Sequence, residues 1–365
     1  MNSSPSASKA QVRRRTGLRW TLRLISLSLV AASFLLPPAW IEDVFSDRAF
    51  PVIQRFLVPL SGGVPIPIVG SLLAIAPLLV VAWVAWGWRS SRRRGVGVLR
   101  RVAAGGGHGL RLALYVYTAF LLTWGFGYRR VPVEVRWGIE DRPASLLEVA
   151  KLRAGLLELI HRDCVPDSER DRSRARRSIE EAQADLVEEL EGFRPVWPAH
   201  VKSPPAGALL TIEVGGVVSP WTLEAHVDDA LLDPQWLATC AHELAHLAGY
   251  CGEADANMVG FVSGLRADDP FARYSTALQV FRYTFSRQDS AGYRRDYASL
   301  PERAKRDVEL ARKLRAEYVI ESLSAVSSGV YDKYLKSQGM ASGTGDYSRG
   351  FRLFVRAWAK GLVSL

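Results

Sequence analysis

The chain of 365 residues is poor in the residues that build disulfide frameworks, with three cysteines, and it contains six histidines and three methionines. Cys164, Cys240 and Cys251 are odd in number and form no C-x-x-C pair, so we predict three buried free thiols rather than a disulfide scaffold. The sequence also lacks a Gly-rich phosphate loop and any nucleotide-binding motif, and it therefore predicts no nucleotide cofactor. Internal repeats are absent, and no feature sets an oligomeric state.

Positive charge is concentrated at the N-terminal end of the chain. Up to Arg130 there are 17 basic residues against 3 acidic ones, whereas the rest of the chain has 30 basic and 34 acidic residues. The pI of about 9.7 therefore belongs to the first part, which removes the main support for nucleic-acid binding. We predict two regions, residues 1–130 and residues 131–365.

The first region contains three apolar stretches, at about 22–40, 66–88 and 112–128. Each is long enough, or nearly so, to cross about 30 Å of hydrocarbon. The second has no charged residue between Arg55 and Arg89. We predict three transmembrane helices in a lipid bilayer. The alternative for the third stretch is a buried helix of the following domain, and the alternative for the first stretch is a cleaved signal peptide.

The positive-inside rule gives an orientation. Basic residues precede the first stretch and fill the loop between the second and third, while the loop between the first and second has only Arg48 and Arg55 among three acidic residues. We predict a multi-pass protein of the cell (inner) membrane with a cytoplasmic N-terminus. Three crossings then place residues 131–365 outside the cytoplasm.

The segment from Cys240 to His246 contains the pattern H-E-x-x-H. On a helix, His242 and His246 lie one turn apart on the same face and can both direct an imidazole nitrogen at one ion. Glu243 then lies beside the metal, where its carboxylate can take a proton from water. The spacing predicts a zinc site with Glu243 as general base; the alternative is a buried helix whose polar side chains bond one another.

A third protein ligand is expected just downstream, at Glu253 or Asp255, and we favour Glu253. A continuous helix would carry Glu253 about 10 Å past the second histidine, so the chain must bend first, and Gly249 and Gly252 permit this. Asn257 lies one turn beyond Glu253 and is predicted to hydrogen-bond a ligand. The alternative for Glu253 is a first-turn glutamate favoured by the helix dipole.

The second region is predicted to be mostly helical with a small β-sheet. Apolar residues at helical spacing predict helices at about 146–160, 168–190, 271–286, 300–333 and 347–362. Residues 209–214 and 222–227 alternate like two strands around a Gly215-Gly216 turn, and such an edge strand can hold an extended peptide. Further candidates for substrate contact or oxyanion stabilisation are Glu224, His226, Tyr331 and Tyr334.

The motifs together resemble a bacterial family of membrane-anchored proteins known only as a domain of unknown function. The segments that carry the resemblance are H-E-x-x-H followed by Gly and E-x-x-A-N, residues 123–129 (TWGFGYR), residues 219–227 (SPWTLEAHV) and residues 331–339 (YDKYLKSQG). The chain also resembles, more distantly, the glutamate-zincin peptidases, in which E-x-x-A-D or E-x-x-A-N supplies the third zinc ligand from a later helix. Most of those peptidases place this glutamate some tens of residues further on.

The resemblance implies a zincin-like domain behind a membrane anchor. We therefore expect a membrane-bound zinc-dependent metallopeptidase that hydrolyses peptide bonds in a peptide or protein substrate, with zinc held by His242, His246 and Glu253. The alternative is a non-catalytic, membrane-tethered binding or scaffold protein with a structural or vestigial zinc site. The local sequence offers no obvious fourth protein ligand apart from Asp255, which favours catalysis, because structural zinc sites normally have four.

Overall fold

The computed structural model describes residues 5–93, 97–340, 343 and 346–365. The fold is mainly helical, as predicted, with one two-stranded antiparallel sheet. The N-terminal helices are α1 (Pro5–Leu35), α2 (Pro38–Trp40), a π-helical segment (Ile41–Ala49), α3 (Phe50–Gly62), α4 (Ile68–Arg93) and α5 (Val98–Thr123). The following elements are α6 (Val133–Arg136), α7 (Leu146–Asp163), α8 (Arg172–Glu191), β1 (Gly216–Ser219), β2 (Glu224–Val227), α9 (Asp233–Leu247), α10 (Glu253–Arg266), α11 (Pro270–Tyr283), α12 (Ser290–Ala298), α13 (Glu302–Tyr318), α14 (Glu321–Ser337) and α15 (Asp346–Ala359).

One helix among the described residues is long and apolar enough to cross a membrane by itself, the segment Ile68–Ser90 of α4. The segments Trp20–Leu35 and Pro38–Gly62 pass the same test only together, and they are bent by 120° at the prolines between them. The third predicted stretch lies in α5, which begins earlier than expected and ends in the 3₁₀ turn Gly125–Arg129. The structure thus supports one candidate membrane helix, and the three-span arrangement stays a prediction.

The end of α1 meets the turn after α5, and the start of α4 and the end of α5 meet the hairpin of β1 and β2. The guanidinium of Arg129 lies over the ring of Phe34, close to the C-terminal end of α1, at 4.7 Å. The first turn of α4 donates from Ile68 N to Glu224 Oε1 at 2.9 Å, and Thr123 Oγ1 at the end of α5 donates to Pro220 O at 2.7 Å. The chain between α1 and α4, the turn after α5 and the hairpin of the domain therefore lie at the same end of these three helices.

The core of the domain is built around α9 and α10. These two helices pack on each other, α9 also packs on α8, α11 and both strands, and α10 packs on α8, α11 and α15. Gly260 of α10 permits the close crossing, because a Cβ there would lie 3.1 Å from Ala241 C and from His242 N. Gly350 plays the same part between α15 and α10, where a Cβ would approach Asn257 Cβ to 2.8 Å.

The sheet lies directly before α9, but its first strand is not where the alternation placed it. Residues 209–214 contain a 3₁₀ turn, Leu210–Ile212, and β1 begins only at Gly216. The carboxylate of Asp228 explains the difference, because it accepts from Gly207 N, Leu209 N and Leu210 N and so folds this segment into turns. The second predicted strand is confirmed as β2.

The predicted helices are present, with one exception in their continuity. The segment predicted as a single helix over 300–333 is two helices, α13 and α14, separated at Val319 and Ile320. Ile320 N leaves the helical pattern to donate to Thr211 O at 3.0 Å, which ties the break to the turn before β1. As a result α14 takes its own direction across the domain.

The three cysteines are free thiols. Cys240 and Cys251 are buried as predicted, whereas Cys164 is only half-buried. Burial raises the pKa of the Cys240 and Cys251 thiols, so both stay protonated at neutral pH.

Candidate metal centre

The two histidines of the H-E-x-x-H motif lie side by side on α9. Their rings are 4.6 Å apart at the centroids and nearly perpendicular, with an interplanar angle of 85°. The side chain of His246 is buried, and that of His242 retains 16% of its exposure. The accessible side of this pair is therefore the side of His242.

The chain bends between the second histidine and Glu253, as the glycines predict. Helix α9 ends at Leu247, and Gly249 adopts a φ of +97°, which an L side chain rarely tolerates. Gly252 then forms the N-cap of α10, and Glu253 is its first residue. The bend turns the Glu253 carboxylate back toward the imidazoles of α9.

The result is a cluster of three potential ligand atoms from His242, His246 and Glu253, all within 4.8 Å of one another. Glu253 Oε2 lies 3.2 Å from His242 Nε2 and 3.8 Å from His246 Nε2. This oxygen is buried and, among the described residues, has no partner in hydrogen-bonding geometry. A buried carboxylate oxygen that converges with two imidazole nitrogens without bonding them fits a shared cation.

Hydrogen bonds outside the cluster fix two of these side chains. Because a carbonyl only accepts, His246 Nδ1 must donate to Tyr250 O, at 2.7 Å, so in the neutral ring the lone pair lies on Nε2, the nitrogen that faces Glu253. Tyr250 is held in turn by its hydroxyl, which donates to Glu191 Oε1 at 2.9 Å. The phenol of Tyr331, on α14, donates to Glu253 Oε1 through a short hydrogen bond. Each oxygen of Glu253 thus has a distinct environment.

When no cation is bound, the charge of Glu253 and the charge of His246 stabilise each other. Burial alone would lower the pKa of His246, but the adjacent carboxylate of Glu253, 3.8 Å from its Nε2, raises it to about 9. Burial alone would raise the pKa of Glu253, but the two imidazoles hold it well below its usual range. The negative charge of Glu253 is therefore compensated by the imidazole side chains beside it when no cation is bound.

Glu243 lies beside the cluster and is almost completely buried. Burial raises the pKa of its carboxyl to about 7, against the opposing influence of the two histidines. A Cβ at Gly216 would lie 2.6 Å from Glu243 Oε1, so the glycine at the start of β1 makes room for this carboxylate. Glu243 Oε2 has no hydrogen-bond partner among the residues that the structure describes.

The other two downstream candidates, Asp255 and Asn257, lie outside the cluster of potential ligand atoms. Asp255 points to α15, where its Oδ1 lies 3.7 Å from Arg349 Nη1, and it is not part of the cluster with the histidines. Asn257 is buried one turn after Glu253, and its Nδ2 lacks a hydrogen-bond acceptor within the described part of the chain. Of the two expected third ligands, Glu253 is the one that the fold brings to His242 and His246.

The two candidates on β2 lie in a different environment from the one expected for substrate contact. Glu224 is buried in an ion pair with Lys202 and also accepts from Thr222 Oγ1 at 2.6 Å and from the first turn of α4. His226 is buried as well, and burial lowers the pKa of its imidazole. Both side chains are therefore buried, and the carboxylate of Glu224 is already occupied by protein donors.

Tyr331 and Tyr334 stack on each other with ring centroids 5.9 Å apart. Tyr331 reaches Glu253, whereas Tyr334 reaches α5 and the turn after it, with its hydroxyl 3.3 Å from that of Tyr128 and its ring 6.3 Å from Phe120. The pair therefore connects the candidate metal centre to the end of α5.

Two residues that contact His246 were not predicted from the sequence, and only the first of them lies far from it along the chain. Trp124, directly after α5, is buried with its ring 5.9 Å from that of His246, and Tyr250 orients the same histidine through its carbonyl. Gly127 lets the turn after α5 approach this region, because a Cβ there would lie 2.5 Å from Cys251 Sγ. The glycine and aromatic residues of 123–129 were the available signal.

A family model described as "Protein of unknown function (DUF3810)" matches residues 45–355. No curated protein and no solved structure matches the chain. The matched range begins in the π-helical segment and ends in α15, so it includes α4, α5, the sheet and every residue of the cluster described above.

Proposed function

The chain belongs to the DUF3810 family of proteins of unknown function, and we propose that it is a membrane-bound, zinc-dependent metallopeptidase. The observation that carries this proposal is the convergence of His242, His246 and Glu253 in a buried cluster, with the unpartnered oxygen of Glu243 beside it. Two imidazoles and one carboxylate are a ligand set found in catalytic zinc sites, which keep the fourth position open.

When bound, zinc supplies Lewis acidity toward a carbonyl oxygen and lowers the pKa of water to about 7. The protein's own contribution begins with the orientation of its ligands. Tyr250 O fixes the tautomer of His246, and the Tyr331 hydroxyl holds one oxygen of Glu253 so that the other faces the imidazoles. We assign Tyr331 to positioning Glu253 rather than to stabilising an oxyanion.

Glu243 is the proposed general base. Its Oε2 has no competing donor within the described residues, so it is available to accept a proton from water and to return that proton to the leaving amine. Gly216 supports this role, since any larger residue would press on the other carboxylate oxygen. Burial of Glu243 keeps bulk water from exchanging the proton during the reaction.

Strand β1 is the proposed binding edge for an extended peptide. Among the residues that the structure describes, its only strand partner is β2, and Asp228 N donates to Gly215 O at 2.9 Å. Because paired and unpaired backbone groups alternate along an antiparallel strand, those of Gly216 and Val218 are directed away from β2. A peptide added along this edge would run past Glu243, and the half-exposed side chain of Val217 lies on the same strand.

We also propose that the protein spans the cell (inner) membrane several times, with a cytoplasmic N-terminus and an extracytoplasmic domain. The distribution of basic residues supports this orientation. The contacts of Phe34, Ile68 and Thr123 support it independently, because they bring the end of α1 to the turn after α5, and the start of α4 and the end of α5 to the hairpin of the domain. Helices that cross in alternating directions require this arrangement.

The test uses the full-length chain purified in detergent. Zinc content is measured for the wild type and for His246→Ala, Glu253→Ala, Asp255→Ala and Glu243→Gln, and each protein is incubated with a proteome-derived peptide library whose cleavage is followed by mass spectrometry. We expect one zinc ion per wild-type chain, loss with His246→Ala, strong weakening with Glu253→Ala and no change with Asp255→Ala.

Glu243→Gln separates catalysis from metal binding. We expect this variant to retain zinc and to lose cleavage. A Glu243→Gln protein that cleaves as well as the wild type would contradict the mechanism. Correctly folded wild-type protein without zinc would instead favour a binding or scaffold protein with a vestigial site.

A further inference from the structure

We propose that α14 lies on the extracytoplasmic surface of the lipid bilayer and inserts an apolar stripe, Leu323, Val326 and Val330, into it beside the candidate metal centre. The proposal goes beyond peptide hydrolysis, and it rests on the proposed membrane insertion of α4 and α5. The occupant of the stripe is lipid, and the argument comes from the spacing, exposure and direction of these side chains.

The stripe is continuous along one side of α14. Leu323, Val326, Val330 and Tyr334 follow the spacing i, i+3, i+7 and i+11, which places them on one face of a helix. The three aliphatic side chains are exposed by 47%, 66% and 65%. Three neighbouring aliphatic residues exposed to this degree on one helix face indicate a surface that another apolar phase covers.

The face of α14 toward the protein is a different one. Ser324, Tyr331 and Leu335 lie on it; Ser324 Oγ donates to Glu213 Oε2 at 3.2 Å, Tyr331 donates to Glu253, and Leu335 is buried. Their spacing, i, i+7 and i+11, is again that of one helix face. The apolar stripe is therefore additional to the surface with which α14 packs on the domain.

The stripe faces the membrane helices. Tyr334, one turn beyond the stripe on the same face of α14, packs edge-on against Phe120 of α5 at 6.3 Å between ring centroids. From Tyr334 back to Leu323 the helix extends about 16 Å. The aliphatic side chains thus continue, in the same direction, the contact that Tyr334 makes with α5.

Two further contacts show where the bilayer surface must lie. Glu224 accepts from the first turn of α4, so the hairpin of β1 and β2 meets the start of the candidate membrane helix. At the tip of this hairpin, Trp221 Nε1 donates to Val116 O of α5 at 3.2 Å, and the Trp221 ring lies 6.2 Å from Phe120. Phe120 is therefore flanked by Trp221 and Tyr334, as aromatic side chains at a membrane interface are.

The flank of α14 that adjoins the stripe on the side away from the protein is suited to headgroups and water. Lys333 and Lys336 are exposed there, and Lys336 pairs with Asp332 at 2.7 Å. An apolar stripe with lysines on the polar flank is the pattern of a helix that lies in the membrane interface. Because Tyr331 on this helix bonds Glu253, the bilayer surface would lie within one helix diameter of the candidate metal centre.

The experiment measures the environment of single nitroxide labels in the full-length protein reconstituted into phosphatidylglycerol and phosphatidylethanolamine vesicles. Cysteines are introduced one at a time at Leu323, Val326 and Val330, in a Cys164→Ser background because Cys164 is the half-buried native thiol. Ala325 and Ser328 are the matched controls, since both are exposed on α14 at about 200° and 140° around the helix from Leu323. Val81, exposed on α4, is the internal reference for lipid.

We expect labels at the three stripe positions to collide with oxygen more often than with chromium oxalate, as at Val81, and the two controls to show the reverse. Higher collision with chromium oxalate at all five positions of α14 would overturn the proposal while leaving the insertion of α4 intact. Protection of the stripe from both reagents would also overturn it, because that result indicates a protein occupant. Water exposure at Val81 would refute the proposed membrane insertion as well.

Discussion

Replacement of Tyr331 by Phe removes one hydroxyl from α14 and leaves its ring stacked on Tyr334. The lost hydrogen bond is the one that Tyr331 donates to Glu253 Oε1. Because Glu253 is only 4% exposed, no bulk water replaces that donor, and the carboxylate is free to turn toward the imidazoles of α9. We expect weaker zinc binding with no change in the ligand set.

The size of the loss in zinc affinity depends on what the hydrogen bond contributes in the zinc-bound and in the zinc-free protein. A buried hydrogen bond to a charged group contributes about 1.5–3 kcal/mol, but it is present both with and without zinc, so only its contribution to holding Glu253 in place affects the affinity. Loss of a partner of a metal ligand typically weakens binding by about 10- to 100-fold. We therefore expect an increase in Kd of about tenfold, which corresponds to about 1.4 kcal/mol.

The assay is competition for zinc with a chromophoric chelator at constant pH, because protonation of the histidines competes with the metal. Tyr334→Phe is the control, since its hydroxyl contacts Tyr128 at 3.3 Å instead of Glu253. We expect its Kd to stay within twofold of the wild type, and His246→Ala to abolish binding. If Tyr331→Phe also binds zinc as tightly as the wild type, Tyr331 does not position the ligand and our reasoning about Glu253 is wrong.

Glu224→Gln should lower the thermal unfolding temperature of the detergent-purified protein, because it leaves the ammonium of Lys202 buried without its counter-charge at a cost of about 3–5 kcal/mol. An unchanged melting temperature in Glu224→Gln would contradict the buried pair. Gly216→Ala should reduce peptide cleavage while zinc content stays constant, because the new Cβ would lie 2.6 Å from Glu243 Oε1 and displace this carboxylate. Equal cleavage rates in the variant and the wild type would show that the position of the Glu243 carboxylate does not depend on a glycine at residue 216. Glu180→Gln should stabilise the fold above pH 7 by at most about 3 kcal/mol. Burial raises the pKa of Glu180 from 4.5 to about 7, so the folded protein favours the protonated carboxyl, and this contribution to stability is lost as the pH rises through that range. The gain in melting temperature should disappear below about pH 4.5, and a gain that is independent of pH would refute the titration of Glu180.

The residues that the sequence identified are those whose relation is local. His242 and His246 are four residues apart on one helix, so their common face follows from the helical period alone. The bend that brings Glu253 back was also predictable, because Gly249 adopts a φ of +97° that the residue type permits. The helical periodicity likewise predicted α7, α8, α11 and α15 within a few residues of their observed bounds.

The contacts that depend on tertiary packing were not predictable in this way. Tyr331 reaches Glu253 across 78 residues of sequence, and Glu224 reaches Ile68 across 156. No local period encodes either pair. The turn at residues 210–212 was missed for the same reason, since the carboxylate that folds it belongs to Asp228, on the far side of the sheet strands.

Glu253 shows how a general helix feature and a metal ligand coincide in one residue. As the first residue of α10 it lies at the positive end of the helix dipole, which stabilises a carboxylate whether or not a metal is present. The same position places it directly after the five-residue connection from α9, so the carboxylate returns to the imidazoles without a longer insertion. The close crossing at Gly260 then holds α10 against α9 and keeps that return fixed. A third ligand only seven residues beyond His246 is therefore geometrically feasible because the helix starts at the ligand itself, and a chain that began α10 even one turn earlier would carry Glu253 away from the cluster.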